Sequence, residues 1–151
     1  MNKSGEENRS VRNTKRRLRE GLLSLLEQRP INEISVKELT ALVDVNRGTF
    51  YFHYQDIYDM LWKIENEFFE EFDRKLSDIP QADFNSEAYH YLYTVFSFLG
   101  ENGDFCRIML GAHGDMQFVE RVKDRVDVQC SIIWKMLAPD ADQAQIGRAH
   151  V

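Results

Sequence analysis

The 151-residue chain is long enough for one buried core, or for a small head with a larger body, and too short for a multi-domain enzyme. Hydrophobic residues make up 43% of it and charged residues 29%, which is typical of folded water-soluble proteins and excludes disordered, collagen-like and disulfide-scaffold classes. The net charge of −6 is unevenly divided. Residues 1–55 hold 10 basic and 7 acidic side chains, a net of +3, whereas residues 56–151 hold 9 and 18, a net of −9.

Basic residues are concentrated near the N-terminus. Between positions 9 and 19 there is no acidic residue, and the segment contains six cations: Arg9, Arg12, Lys15, Arg16, Arg17 and Arg19. Taken alone, this run is as consistent with a solvated chain terminus as with an anion-binding arm. We expect residues 1–12 to form a flexible basic arm.

The sequence contains neither an apolar run of about 18 residues nor a secretory signal, so we expect a cytoplasmic protein without a membrane span. Cys106 and Cys130 are far apart and have no metal-ligand spacing. We therefore expect reduced, packed thiols and neither a disulfide nor a zinc site.

Long amphipathic stretches with few glycines and prolines predict an all-α protein. The first helix is predicted from 13 to 29 and is ended by Pro30, because proline disfavours a helical residue before it. Its apolar stripe is formed by four leucines at helical spacing: Leu18, Leu22, Leu25 and Leu26.

Two short helices follow. Ser35 and Glu38 form a capping box at the start of a helix predicted over 36–43. Asn46 is a suitable N-cap for a second helix over 47–53. Short helices joined by a turn of three to four residues predict a helix-turn-helix.

The rest of the chain predicts a helical body. Asp56 is a plausible N-cap for a long helix that ends near Leu76. A break over 80–85 and a turn over 100–104 separate the later helices, which are predicted over 86–99, 105–110 and 116–137.

The segment 34–61, ISVKELTALVDVNRGTFYFHYQDIYDML, resembles the DNA-binding domain of TetR-family transcriptional regulators. The resemblance covers about residues 13–62. It is most specific over 47–54, where a Thr, a Tyr two residues later, a His two after that and then an aromatic residue match the family's recognition helix.

The resemblance implies a DNA-binding head over 13–62 and a helical body over 63–145 that dimerises and binds a small effector. It further implies a bacterial, nucleoid-associated regulator, usually a repressor, that binds a palindromic double-stranded operator as a homodimer and needs no cofactor. A TetR-like coactivator that acts through a protein partner stays open as an alternative. The sequence offers no nucleophile–base pair or phosphate-binding loop, so we do not expect an enzyme.

A helix of seven or eight residues fits the major groove, which is about 12 Å wide. Arg47 is expected to read a guanine, and Gly48 to let the helix backbone approach the DNA closely. Phe50 and Tyr54 are expected to face the core. The predicted DNA-contacting set is Lys15, Arg16, Ser35, Val36, Lys37, Asn46, Arg47, Gly48, Thr49, Tyr51, Phe52 and His53. The competing interpretations are that Tyr51 and Phe52 are packed aromatic residues and that His53 is a histidine at a helix end. Arg47 is then a solvated surface arginine.

Three positions depart from the family pattern. Asp44 stands where glycine is frequent, and aspartate tolerates a left-handed backbone better than most residues. Thr40 replaces a small alanine at the helix–helix contact. Ile57 replaces a lysine that holds a phosphate, so that contact is expected to come from cations on the first helix instead.

Aromatic residues and methionines are frequent in the body and are candidates for the lining of an apolar effector pocket, although such residues more often form plain core. The predicted lining is Tyr89, Tyr93, Phe96, Met109 and Trp134. His90 and His113 are isolated, so no metal site is expected.

The last six residues, 146–151, correspond to one reading frame of a common sequencing-library adapter. We therefore expect this tail to be non-native, the native sequence to stop near Gln145, and the body to lack its final helix or helices.

Overall fold

Seven α-helices and one 3₁₀ turn build the part of the chain described by the computed structural model, which is residues 3–78 and 84–138. Those residues contain no β-strand, so the predicted all-α class is confirmed. The helices are α1 (Lys3–Leu26), α2 (Val36–Leu42), α3 (Arg47–His53), α4 (Ile57–Ser77), α5 (Phe84–Glu101), α6 (Gly103–Met109) and α7 (Met116–Leu137), and the 3₁₀ turn is Ile31–Glu33.

The prediction for α1 was wrong at both ends. The helix begins at Lys3 rather than 13, so residues 3–12 of the expected basic arm are helical. This first part carries no apolar stripe, and a prediction based on amphipathic spacing does not detect such a helix. The helix ends at Leu26, before Pro30. The backbone N–H of Gln28 donates to the carbonyl of Leu25 at 3.0 Å, which tightens the final turn.

Three predicted N-caps are confirmed. The side chains of Ser35, Asn46 and Asp56 accept hydrogen bonds from backbone N–H groups at the starts of α2, α3 and α4, at 3.2, 2.7 and 2.8 Å. The second half of the capping box differs from the prediction. The Glu38 carboxylate bonds to the guanidinium of Arg29 and so links α2 to the segment after α1.

The turn between α2 and α3 depends on Asp44, whose φ of 50° is left-handed. Asp44 stands where this conformation favours glycine. Aspartate adopts the left-handed backbone more readily than most residues, as expected from the sequence. The backbone N–H of Val45 closes the turn on the carbonyl of Thr40 at 2.9 Å. Thr40 is buried, and its hydroxyl is satisfied by the carbonyl of Val36 at 2.7 Å.

One continuous core runs through the described residues. At one end, Leu18 and Leu22 of α1 belong to this core with Phe50 of α3. At the other end, Phe68 of α4 contacts three further rings, at centroid distances of 5.0, 5.0 and 5.6 Å: Phe98, Phe105 and Phe118. Helix α4 contributes to both ends of this core. It spans residue 62, so the predicted head–body boundary lies inside a helix.

Helices α5 and α6 each begin two residues earlier than predicted, and α5 also ends two residues later. The expected turn over 100–104 shrinks to Asn102, because this residue bonds to both neighbouring helices. Its backbone N–H and side-chain amide both donate to Phe98, at 3.1 and 2.9 Å, and its carbonyl accepts from Cys106 at 2.9 Å. The bounds of α7 are as predicted. Most of the predicted break over 80–85, and the whole 146–151 tail, lie outside the described residues.

Candidate nucleic-acid interface

Helix α3 has one buried face and one exposed face. Phe50 is completely buried and Tyr54 is 5% exposed, as the sequence predicts, and their rings lie 5.5 Å apart. On the opposite side Tyr51 is 57% exposed and Phe52 is 81% exposed. The helix is therefore anchored by two aromatic side chains while two others face solvent.

Arg47 and Gly48 are both exposed at the start of α3. The backbone N–H of Gly48 donates to Asn46 Oδ1 at 2.7 Å. A Cβ atom at position 48 would lie 3.1 Å from that same oxygen, which is tighter than ordinary packing. Glycine at this position therefore preserves the helix cap and also leaves the surface beside Arg47 open.

Thr49 and His53 are half-buried on the flank of α3. Burial lowers the pKa of His53 below its usual 6.5, and the charges of Lys15 and Lys63 lower it further. The imidazole is thus neutral near pH 7, with one N–H donor. Lys15 itself is half-buried on α1.

Lys63 holds the C-terminal end of α3 and was not identified from the sequence. Its ammonium donates to the carbonyl of His53 at 3.2 Å and to Asp59 Oδ2 at 2.9 Å. Asp59 in turn accepts from the backbone N–H of Gln55 at 2.8 Å, and this bond and Lys63 lower its pKa. The available sequence signal was the i,i+4 spacing of Asp59 and Lys63 on one helix.

Four further predicted contacts lie on α1, on α2 and before α2. Ser35 and Lys37 are exposed, and Val36 is half-buried. Arg16 is exposed on α1, where its guanidinium donates to Glu20 at 3.0 Å and to Asn13 at 2.7 Å.

Two of the six N-terminal cations contact other elements of the protein. Arg17 donates to the carbonyls of Val43 and Asp44 in the α2–α3 turn. Arg19 lies over the ring of Phe105, with 5.1 Å between Cζ and the ring centroid. Arg9 and Arg12 are exposed, as Arg16 is. Ile57 is 4% exposed and belongs to the core, so it is placed for packing and not for a phosphate contact.

The predicted effector pocket is not assembled as expected. Phe96 lines an apolar cavity of about 360 Å³ between α4, α5, α6 and α7, whereas Met109 lines a different cavity. Tyr89 and Tyr93 are exposed and stack on each other with 6.2 Å between ring centroids, and Trp134 is exposed on α7. Which aromatic side chains meet depends on the face that each helix turns to α4, and composition does not reveal this.

Within the described ranges, no group of three or more His, Cys, Asp or Glu side chains is placed to hold a metal ion. No helix in the same ranges is long and apolar enough to cross a bilayer. The sequence was compared with protein-family models and with curated proteins, and neither comparison gave a match.

Proposed function

We propose that the chain is a sequence-specific DNA-binding transcriptional regulator of the TetR type, with α2 and α3 as its helix-turn-helix and α3 as its recognition helix. The observation that carries the proposal is the division of α3 into a buried aromatic face and an exposed face. The exposed face carries Arg47, Gly48, Tyr51 and Phe52. A folding role alone does not account for large side chains held outward on so short a helix.

The dimensions of α3 support this proposal. An α-helix with its side chains is about 10 to 12 Å across, which fits the major groove of about 12 Å, and the seven residues of α3 give a helix about 10 Å long. In this arrangement the guanidinium of Arg47 donates to a guanine edge, and the open surface at Gly48 lets the backbone come close. Phe52 offers apolar contact to a thymine methyl group.

The flanking groups supply phosphate contacts. Thr49, Tyr51 and His53 each carry a donor on or beside the exposed face, and Lys15 and Lys37 supply cations from α1 and α2. Arg16, Ser35, Val36 and Asn46 complete the contact surface. Because the body carries the negative net charge, the basic head is the part attracted to DNA.

As part of the same proposal, two copies bind the half-sites of a palindrome whose centres lie one helical turn, about 34 to 36 Å, apart. Exposed apolar side chains on one side of α7 support association of the body, namely Val126 and Trp134. An effector bound to the body lowers operator affinity by a coupling of about 1 to 3 kcal/mol. The protein is a cytoplasmic repressor in this account.

Selection from a random duplex library, followed by anisotropy titration of the enriched duplex and a scrambled one at 50 and 200 mM salt, tests the proposal. We expect enrichment of a palindrome that binds at least about 10³-fold more tightly than the scrambled duplex. Affinity for both duplexes is expected to fall steeply with salt. Failure to enrich any sequence contradicts the proposal.

One observation favours a second function, that of a coactivator with the same fold. Ile57 is buried where the family resemblance places a phosphate-binding lysine, and the exposed ring of Phe52 suits a protein contact equally well. For the coactivator, binding to every duplex stays weak and non-specific in the same titration. The two functions therefore give opposite results.

A further inference from the structure

A cavity of about 510 Å³ with both polar and apolar lining lies where the end of α1 and the first half of α4 meet the α6–α7 connection. Its size is within the range of small-molecule sites, about 300 to 1,000 Å³. It is separate from the exposed face of α3 and from the apolar cavity of the body. Its lining includes the core residues Leu26 and Met109 and the exposed Trp62.

Glu65 is the unusual residue in this cavity. The side chain is 2% exposed, and its Oε1 is buried without a hydrogen-bond partner. Its Oε2 accepts from the guanidinium of Arg121 at 3.3 Å, and the same guanidinium donates to Asn66 at 2.6 Å. A buried carboxylate oxygen left without a donor is costly, since each such group keeps its full desolvation penalty.

The charged side chains that line the cavity are carboxylates, and two of them pair with cations outside the lining, Asp59 with Lys63 and Glu65 with Arg121. Three carboxylates line it, those of Asp59, Glu65 and Asp115, and no Lys or Arg side chain belongs to the lining. Burial raises the pKa of the Glu65 carboxyl and the charge of Asp115 raises it further, to about 7. The bond from the backbone N–H of Gln117 to Asp115 Oδ1, at 2.8 Å, compensates this charge only in part.

Apolar and aromatic surface completes the lining. Tyr58 and Trp62 lie one turn apart on α4, and both are more than half exposed. Aromatic faces beside an acidic site attract organic cations, and they also cover the apolar part of such a ligand. A metal ion fits less well, because no group of three or more ligating side chains is assembled in the described parts of the chain.

We propose that this cavity binds a small organic cation with an apolar group, whose ammonium or guanidinium donates to Glu65 Oε1 and lies between Glu65 and Asp115. The apolar group lies against Tyr58 and Trp62. The donor satisfies the buried oxygen, and the positive charge relieves the repulsion between the two carboxylates. Binding at this site does not depend on whether α3 binds DNA.

Isothermal titration of the full chain with 2-phenylethylamine and with 2-phenylethanol tests the proposal. The two probes share a ring and a two-carbon chain, and only the amine carries a charge. We expect a Kd of about 1 mM or tighter for the amine at pH 8, and binding at least about tenfold weaker for the alcohol. Equal affinities, or no binding of the amine, overturn the proposal.

Matched variants identify the oxygen that is responsible. Glu65→Gln is expected to weaken amine binding at least about tenfold, because the amide puts no negative charge in the cavity. Glu67→Gln removes the same charge from the exposed side of α4 and is expected to leave binding unchanged. Asp115→Asn keeps an N-capping side chain, so it reports on the second carboxylate even if Glu65→Gln folds poorly. Wild-type affinity in both Glu65→Gln and Asp115→Asn contradicts the assignment.

Discussion

The guanidinium of Arg17 on α1 donates to the backbone carbonyl of Asp44, with 3.2 Å between Nη2 and the oxygen. It also bonds to the carbonyl of Val43, the residue before. Asp44 carries the left-handed φ that reverses the chain between α2 and α3. One arginine of the basic N-terminal run therefore fixes the turn that orients α3.

This contact makes Arg17 a positioning residue for the proposed DNA interface. Arg17→Met is expected to reduce operator affinity about tenfold, because the turn is held less firmly. The slope of log affinity against log salt is expected to stay unchanged, since Arg17 makes no phosphate contact in this account. Anisotropy titration at several salt concentrations measures both quantities. A shallower slope instead assigns Arg17 to the phosphates.

Lys15 supplies the contrasting case. Lys15→Ala is expected to weaken binding to operator and random duplexes by the same factor, and to reduce the salt slope by about one. The physical reason is that a phosphate contact releases counterions regardless of base sequence. The same titrations measure this change. An unchanged slope contradicts the phosphate contact.

Gly114 lies in the α6–α7 connection and packs against the end of α6. A Cβ atom there would lie 1.8 Å from the carbonyl oxygen of Met109, and a backbone atom cannot move aside cheaply. Gly114→Ala is therefore expected to lower the free energy of unfolding by about 2 to 4 kcal/mol. Urea denaturation measures this loss.

The matched control is Gly100→Ala on α5, where nothing lies within 4 Å of the added Cβ. Alanine is the better helix former, so this variant is expected to be unchanged or stabilised by up to about 1 kcal/mol. Equal unfolding midpoints for the two variants contradict the close approach at Gly114.

Burial of Glu65 makes stability depend on pH. Its pKa rises from 4.5 to about 7 in the folded protein, so the folded state holds the proton more tightly than the unfolded state. The contribution of this group to the free energy of unfolding is therefore largest below pH 4.5. It decreases by roughly 3 kcal/mol as the pH rises to about 7. The groups that set this pKa are Asp115, which raises it, and Arg121, which lowers it.

Glu65→Gln is expected to flatten this dependence, because an amide does not titrate. Urea unfolding at pH 5 and pH 8 measures the difference for wild type and variant. The pH 5 to pH 8 difference is expected to be smaller in the variant. An identical difference in both proteins shows that other groups cause it.

The sequence was most informative where local chemistry decides the structure. The caps at Ser35, Asn46 and Asp56 have short polar side chains at helix starts, and each was predicted and is formed. The same holds for Asp44, whose left-handed backbone follows from a local preference. The start of α1 was missed because the sequence of its first turns has no apolar stripe.

Tertiary packing decided what the sequence left open. Arg16 and Arg17 are neighbours in one cationic run, but about 100° of helix rotation separates them, so one faces solvent and the other reaches the turn. Phe96 and Phe98 differ for the same reason: the first is exposed and the second is buried against α4. The unpartnered oxygen of Glu65 has no sequence signal, because it depends on which donors three separate elements place nearby.

Base reading by Arg47 is the central claim, and the direct measurement is the affinity of Arg47→Ala for the selected operator and for a scrambled duplex. Arg74→Ala, which removes another exposed arginine from the far half of α4, serves as the control. We expect Arg47→Ala to lose about 1 to 3 kcal/mol more on the operator than on the scrambled duplex, and Arg74→Ala to lose equally little on both. Equal losses on the two duplexes for Arg47→Ala would contradict the account.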